Sequence, residues 1–410
     1  MKRFLHAHAA HPDWRHALAL AASRIDAQRQ EPGAAAAPNL GWVYLNERYA
    51  GDAAALLAEL RRRWPGVAWV GTCGVGIAAS GVEYFDEPAL ALMLAELPQD
   101  QFRVFSGARP LGDFAAHTAQ VHADPSTADL AELIADMSAR TASSYLFGGL
   151  ASSMRAEPLH LADGVLRGGL SGVAFGAGVT LVSRVTQGCQ PIGPLHSVTA
   201  AERNVITGLD GAPALDCLMR DLKLEGVEPR TALPRIRQTL VGLSDPADSA
   251  RAGSFDSPAR SGSFGSDTRV RHLIGLDPGR GGIAIADHAE AGMQLAFCSR
   301  NTEAARRDLM RICAEIREEV EPEALPLAAA QARKVAETPD AAPASPGIAG
   351  AIYVSCSGRG GPHFGAPSAE LAIVRHALGD VPLVGFFAAG EIARQHLYGY
   401  TGVLTVFTSA

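Results

Sequence analysis

Two stretches of this chain are written alike, and together they restrict the fold more than any other feature. Residues 67–77 read VAWVGTCGVGI and residues 381–392 read VPLVGFFAAGEI. Each is an apolar run that meets a glycine and continues through small residues. A short apolar run bounded by turn residues reads as a buried strand. Glycine behind it lets the backbone turn sharply or approach a neighbour closely. The pattern predicts an α/β fold with glycine-rich or small-residue turns at strand ends, at Gly71–Gly76, Gly148–Ser153, Ser357–Gly361 and Gly385–Gly390.

The surrounding sequence supplies the helices. Residues 14–30 read as helix and GWVYLN (41–46) as strand. Asp52 can cap a helix whose Leu56, Leu57 and Leu60 share one face and which stops before Pro65; VAWVG then returns to strand. A strand–helix–strand unit of this kind makes parallel pairing. A second follows, with Leu130, Leu133, Ile134 and Met137 at helical spacing after Asp124, then SSYLFGGL. A third is AIYVSC (351–356), SAELAIVRHALG and VPLVG, with Gly379 where a C′ glycine belongs. The echo between the first and third units predicts two related domains, 1–210 and 211–410. Between them, Thr199-Ala200-Ala201-Glu202 has the capping-box form of a helix start. Pro213 opens a helix that Gly226 can end, and RHLIGL, GIAIAD and MQLAFCS read as an antiparallel set. A long helix runs from about Thr302 to Val320, while 244–267 and 321–347 read as flexible insertions.

Composition narrows the class of function. A length of 410 residues favours two domains, and 47% hydrophobic against 19% charged residues rules out global disorder. A net charge of −7 gives no electrostatic reason to expect nucleic acid. The uncharged stretch 168–183 is glycine-broken and too short to span a membrane. His6, His8, His11, Asp13 and Arg15 interrupt the N-terminus, so no secretory signal is expected. Six cysteines without metal-ligand spacing fit reduced thiols in a cytoplasmic protein. There is no GxxxxGK[ST], HExxH or CxxCH string, so no metal is assigned and no cofactor is expected from motifs.

In open α/β sheets, ligands bind beyond the carboxyl ends of strands, where glycine lets backbone N–H groups converge. The candidate ligand-binding residues are therefore Gly71, Cys73, Gly74 and Gly76 in the first half. In the second half they are Cys356, Ser357, Arg359, Gly360, Gly361, Gly385, Phe386, Gly390 and Glu391. The competing reading is that these glycines only permit tight turns and close packing. Arg359 suits a bidentate contact to a carboxylate or phosphate, or braces a loop. Glu391 suits an ammonium, or lies at a helix start. Facing one pocket, the two would fit a zwitterion such as a free amino acid. A cysteine-dependent enzyme using Cys356, near His363, or Cys73 is the alternative from another class.

Several segments carry a family resemblance: NLGWVYLNERYAG, VAWVGTCGVGIAASGVEY, EPALALMLAELP and YLFGGLASS in the first half, and VTQGCQPIGPLHSVTAAERNVITGLDGAPALDCL at 185–218. They continue in VRHLIGLDPGRGGIAIAD, AIYVSCSGRGGPHFG, VPLVGFFAAGEI and HLYGYTGVLTVF. The chain resembles the FIST family, bacterial proteins with paired FIST N-terminal and C-terminal domains, over nearly its whole length. The resemblance implies a sensory module for a small ligand, with amino acids as the proposed class and haem in some members. It brings no catalytic residues. The implied function is a cytoplasmic small-ligand sensor for a polar metabolite, passing its signal to a separate protein. A haem-binding gas sensor is the alternative within the family. The chain departs from the family pattern after Glu391, where only Ala393-Arg394-Gln395 precede HLYGYTG, and at Asn301, where an acidic residue is common.

Overall fold

The computed structural model describes residues 1–245, 268–320, 347–361 and 363–408. The two expected insertions lie almost wholly outside the described residues. The fold is α/β, and its contacts divide it into two compact units. The first comprises Met1–Thr186, Leu309–Leu397 and Thr401–Ala410, and the second Gln187–Asp308 and Tyr398–Tyr400.

The first unit is built on three parallel strand pairs, each joined through a helix. Leu40–Asn46 pairs with Ala68–Gly74 through the helix Ala53–Arg63. Thr118–Ala123 pairs with Leu146–Leu150 through Leu130–Ala139. Ile348–Cys356 pairs with Leu383–Ala388 through Ala369–Leu378. The Leu40–Asn46 strand, LGWVYLN, is buried along its length, which is why it reads as a nearly unbroken apolar run. The Ala53–Arg63 helix buries Ala53, Leu56, Leu57 and Leu60 on one face and ends on three arginines, which suit the negative end of its dipole. That face joins a core containing Trp14, Leu18, Val43, Trp69 and Leu92.

Each of the three pairs carries a glycine on its second strand. A Cβ at Gly71 would sit 1.8 Å from the Val43 carbonyl oxygen, at Gly148 1.9 Å from Val121, and at Gly385 1.7 Å from Tyr353. The repeated glycine marks close approach of two paired strands, and it occurs three times. Gly71 and Gly385 therefore lie inside strands that run on to Gly74 and Ala388, where the sequence reading ended the strand and began a turn.

Other expectations are corrected as well. Thr199–Glu202 opens no helix: it closes the strand His196–Glu202, which forms a hairpin with Val205–Leu209 across Arg203 at φ 54°. The polar residues that imitate a capping box sit at the end of a strand and its turn. Glu391 starts a strand, Glu391–Arg394, antiparallel to Leu146–Leu150, and not a helix. The histidine-interrupted N-terminus forms the strand Leu5–Ala10, antiparallel to Ala89–Ala95, with alternating burial.

The strands of this unit lie in three sheets. Trp42 and Tyr44 of one reach a second, where Trp42 Nε1 donates to Gln120 Oε1 at 2.6 Å and Gln120 Nε2 donates to the Tyr44 hydroxyl at 2.7 Å. The third runs Leu181–Gln187, Thr401–Thr408, Ile348–Cys356, Leu383–Ala388, Gly76–Ala79, Val82–Phe85. Within it a hairpin from the first half of the chain joins strands from the second.

The second unit is an antiparallel ring. Gln294–Arg300 pairs with His196–Glu202 on one side and Leu240–Ser244 on the other. Val205–Leu209, Gly282–Ile285 and Arg269–Asp277 close the circuit. Its centre holds Val198, Ile206, Val241, Ile283, Leu295 and Phe297, and the helix Ala214–Asp221 adds Leu218. RHLIGL and GIAIAD pair directly, whereas MQLAFCS pairs with Leu240–Ser244, a strand the sequence reading did not identify.

Candidate functional site

The loop after Ile348–Cys356 turns its polar groups inward. Arg359 is 1% exposed; its Nε donates to Glu370 Oε1 at 3.0 Å and its Nη1 to the Thr186 carbonyl at 3.3 Å. Glu370 also accepts from the Tyr353 hydroxyl at 2.6 Å and from Ser355 Oγ at 3.1 Å. Burial, with the Glu370 charge beside it, raises the Tyr353 hydroxyl well above its ordinary range. Glu83 arrives from the neighbouring hairpin and takes the backbone N–H groups of Gly361 at 2.6 Å, Glu370 at 2.9 Å and Leu371 at 3.1 Å. It thus fills the amino-terminal end of the Ala369–Leu378 helix, where a carboxylate is favoured.

Glu391 lies at the same end of these strands and is fully buried. Its Oε2 accepts from the Thr401 N–H at 3.1 Å and the Thr401 hydroxyl at 2.7 Å. Among the described residues its other oxygen, Oε1, has no hydrogen-bond partner. Burial pushes the carboxyl up to about 8, against the opposing pull of Thr401, Arg359 and Cys356. Near neutral pH it is therefore mostly protonated and gives an ammonium no counter-charge.

The structure brings together the two glycine-rich segments singled out in the sequence. Gly76–Ala79 pairs with the Leu383–Ala388 strand, placing Ile77 opposite Phe386. Ser152 Oγ accepts from Val75 N–H at 3.0 Å and donates to the Phe387 carbonyl. Protein atoms occupy the space that these glycines leave. A Cβ at Gly74 would lie 2.6 Å from the Gly76 carbonyl, at Gly76 2.8 Å from the Phe85 ring, and at Gly360 2.1 Å from that ring. Phe386 stacks on Tyr44, the Gly390 carbonyl accepts from Leu150 N–H, and Ser357 N–H donates to the Ala388 carbonyl. Cys73 is buried, accepts from Leu159 N–H at 3.3 Å, and is pushed up to about 11 by burial, unlike an activated nucleophile. Cys356 is the half-buried exception among six free cysteines.

An open recess lies elsewhere in the first unit, at the amino-terminal ends of Thr118–Ala123 and Leu146–Leu150. It encloses about 350 Å³. Phe147, Val179, Thr118 and Thr405 are its buried residues; Tyr145, Leu181 and Ser183 form the wall, and His117, Ser143, Ala177 and Thr180 the exposed rim. The Tyr145 hydroxyl donates to Ser183 Oγ at 2.9 Å, and Ser183 Oγ shares a 2.7 Å hydrogen bond with Thr405 Oγ1. Sequence reasoning missed all of these residues. They come from four separated stretches, none carries a motif, and only the pairing of strands assembles them.

Three glycine-spaced parallel strand pairs in one unit and a closed antiparallel sheet in the other define a two-unit α/β protein. The chain belongs to the FIST family: the FIST N domain matches residues 39–212 and the FIST C domain residues 214–394. FIST domains are small-ligand-binding sensory modules. The chain is similar to the uncharacterised protein Rv0628c of Mycobacterium tuberculosis, with 31% identity over 417 residues, covering 97% of each chain. It is also similar to the uncharacterised protein Mb0898c of Mycobacterium bovis, 30% identical over 413 residues, covering 97% of this chain and 96% of the relative. Among the described residues no cluster of His, Cys, Asp and Glu is arranged to hold a metal ion, and no helix is long and apolar enough to cross a membrane.

Proposed function

We propose that this chain is a sensor that binds a small polar metabolite in the recess and passes the signal to a separate protein, without chemical turnover. The carrying observation is the recess itself. It is concave, its volume lies near the lower end of the roughly 300–1,000 Å³ usual for small-molecule sites, and it combines aromatic and aliphatic walls with a few convergent hydroxyls. Thr405, at its base, shares a strand with Thr401, the partner of Glu391, which links the recess to the buried polar cluster.

A free amino acid is the finer reading that an Arg359–Glu391 pair would support. It requires a ligand carboxylate to replace Glu370 on Arg359 Nε, and Glu391 to ionise. Six free thiols support a reducing compartment, the cytoplasm. The test is thermal unfolding of the protein and of Ala177→Trp, which fills the recess from its exposed rim, across a panel of small metabolites. Saturating ligand at about 100 times its dissociation constant adds about 2.7 kcal/mol, a shift of a few degrees. The shift is expected in the wild type and absent in Ala177→Trp. An equal shift in both would place the ligand elsewhere.

A further inference from the structure

We infer that the ligand of the recess is uncharged and carries hydroxyl groups on one side and an apolar face on the other, the chemistry of a monosaccharide or cyclic polyol. This rests on the recess being the ligand seat.

Charge is the first argument. Among the described residues no Asp, Glu, Lys or Arg lines the recess, and its one imidazole, His117, stands on the exposed rim. An ammonium entering it would give up hydration without meeting a carboxylate, and a carboxylate would find no Lys or Arg, only the solvent-exposed imidazole of His117 at the rim, so either charge is poorly compensated. An uncharged ligand avoids that cost.

Hydrogen-bonding capacity is the second. Tyr145, Ser183 and Thr405 hold three hydroxyl protons. The Tyr145 proton serves Ser183, and one further proton serves the bond between Ser183 and Thr405. Whichever of that pair donates, the other's proton remains available, as do acceptor lone pairs along the chain. A row of groups able to donate and accept matches a ligand hydroxyl, which does both. By contrast, the Thr118 and Ser143 hydroxyls spend their protons on the carbonyls of Tyr145 and His117, and so present mainly acceptor capacity. The site as a whole therefore favours ligand donors over bare anions.

Shape is the third. The buried ring of Phe147 and the side chains of Val179 and Leu181 supply apolar surface beside these hydroxyls. A ring bearing C–H groups on one face and hydroxyls at its edge can bury both at once.

The experiment is isothermal calorimetry on the full chain with myo-inositol, glucose and ribose, and separately with glycine, serine and glutamate. Wild type, Ser183→Ala and Ala177→Trp are compared. The expected result is saturable binding of an uncharged compound, weakened about 3- to 10-fold by Ser183→Ala and abolished by Ala177→Trp. Binding of an amino acid in place of every uncharged compound overturns the ligand class; if Ala177→Trp blocks it, the recess still stands as the seat. Binding of an uncharged compound that Ala177→Trp leaves intact overturns the seat and the inference with it. No heat from any uncharged compound at millimolar concentration overturns the class. Ser183 is half-buried and Ala177 exposed, so both variants are expected to fold, which urea titration checks.

Discussion

Thr401 and Thr405 stand on the same face of one strand, four residues and about 13 Å apart. Thr401 gives both its N–H and its hydroxyl to the buried Glu391 carboxyl, while Thr405 lies at the base of the recess and bonds to Ser183. The strand thus joins a preformed polar interior to the opening that a ligand can enter.

The Glu391 carboxyl makes stability depend on pH. Its folded value, about 8, lies above its ordinary 4.5, so the folded state holds a proton that the unfolded state releases. Stability is fully present below about pH 4.5 and is lost as pH rises towards 8, with a slope of at most about 1.4 kcal/mol per pH unit. Glu391→Gln mimics the protonated form and is expected to flatten this decline. Urea titrations from pH 5 to 8 check it; parallel curves for wild type and variant would show that Glu391 is ionised in the fold.

Arg359 and Glu370 are 1% and 0% exposed, so removing one leaves the other's charge buried. Arg359→Met is expected to cost about 3–5 kcal/mol. Arg359→Met with Glu370→Leu is expected to cost less than the sum of the single changes. A double-mutant cycle by chemical denaturation reads the coupling, and additivity would mean that the pair does not interact.

Alanine at Gly71, Gly148 or Gly385 would drive a methyl group into a partner strand's carbonyl. Each change is expected to cost about 3 kcal/mol or more, or to prevent folding. Gly51, with no atom within 4 Å of an added Cβ, is the control, expected within about 0.5 kcal/mol of wild type. Expression and urea midpoints compare them.

In the second unit, His196 sits between Asp210 at 2.7 Å and Asp221 at 2.8 Å. Burial works against its charge, but the two carboxylates outweigh burial and raise its pKa above 6.5. The imidazolium therefore contributes stability that is full below pH 6.5 and disappears as pH rises through the raised value. His196→Gln is expected to remove this dependence. NMR titration of the ring checks the shift directly, and a midpoint below 6.5 would contradict it.

Much of the architecture was legible in the sequence because periodicity reports burial. Leu56, Leu57 and Leu60 announced their helix, and AIYVSC and VPLVG announced two strands that do pair in parallel. Glycine was the ambiguous sign. At Gly71 and Gly385 it reads as a turn, yet it answers to a neighbour's carbonyl that sequence cannot place. Arg359 and Glu391 stand out in the sequence as charges among glycines and apolar residues, but their burial and their partners Glu370 and Thr401 follow from the fold. The recess left no local trace, because Thr118, Tyr145, Ser183 and Thr405 are ordinary hydroxyl residues until the strands align them.

The measurement that tests the central claim most directly is amide hydrogen exchange on the full chain, with and without the compound that binds it. Protection concentrated at residues 143–147, 177–183 and 401–408 is the predicted result. Protection confined to 356–361 and 386–391 would contradict it and place the ligand among Cys356, Arg359 and Glu391.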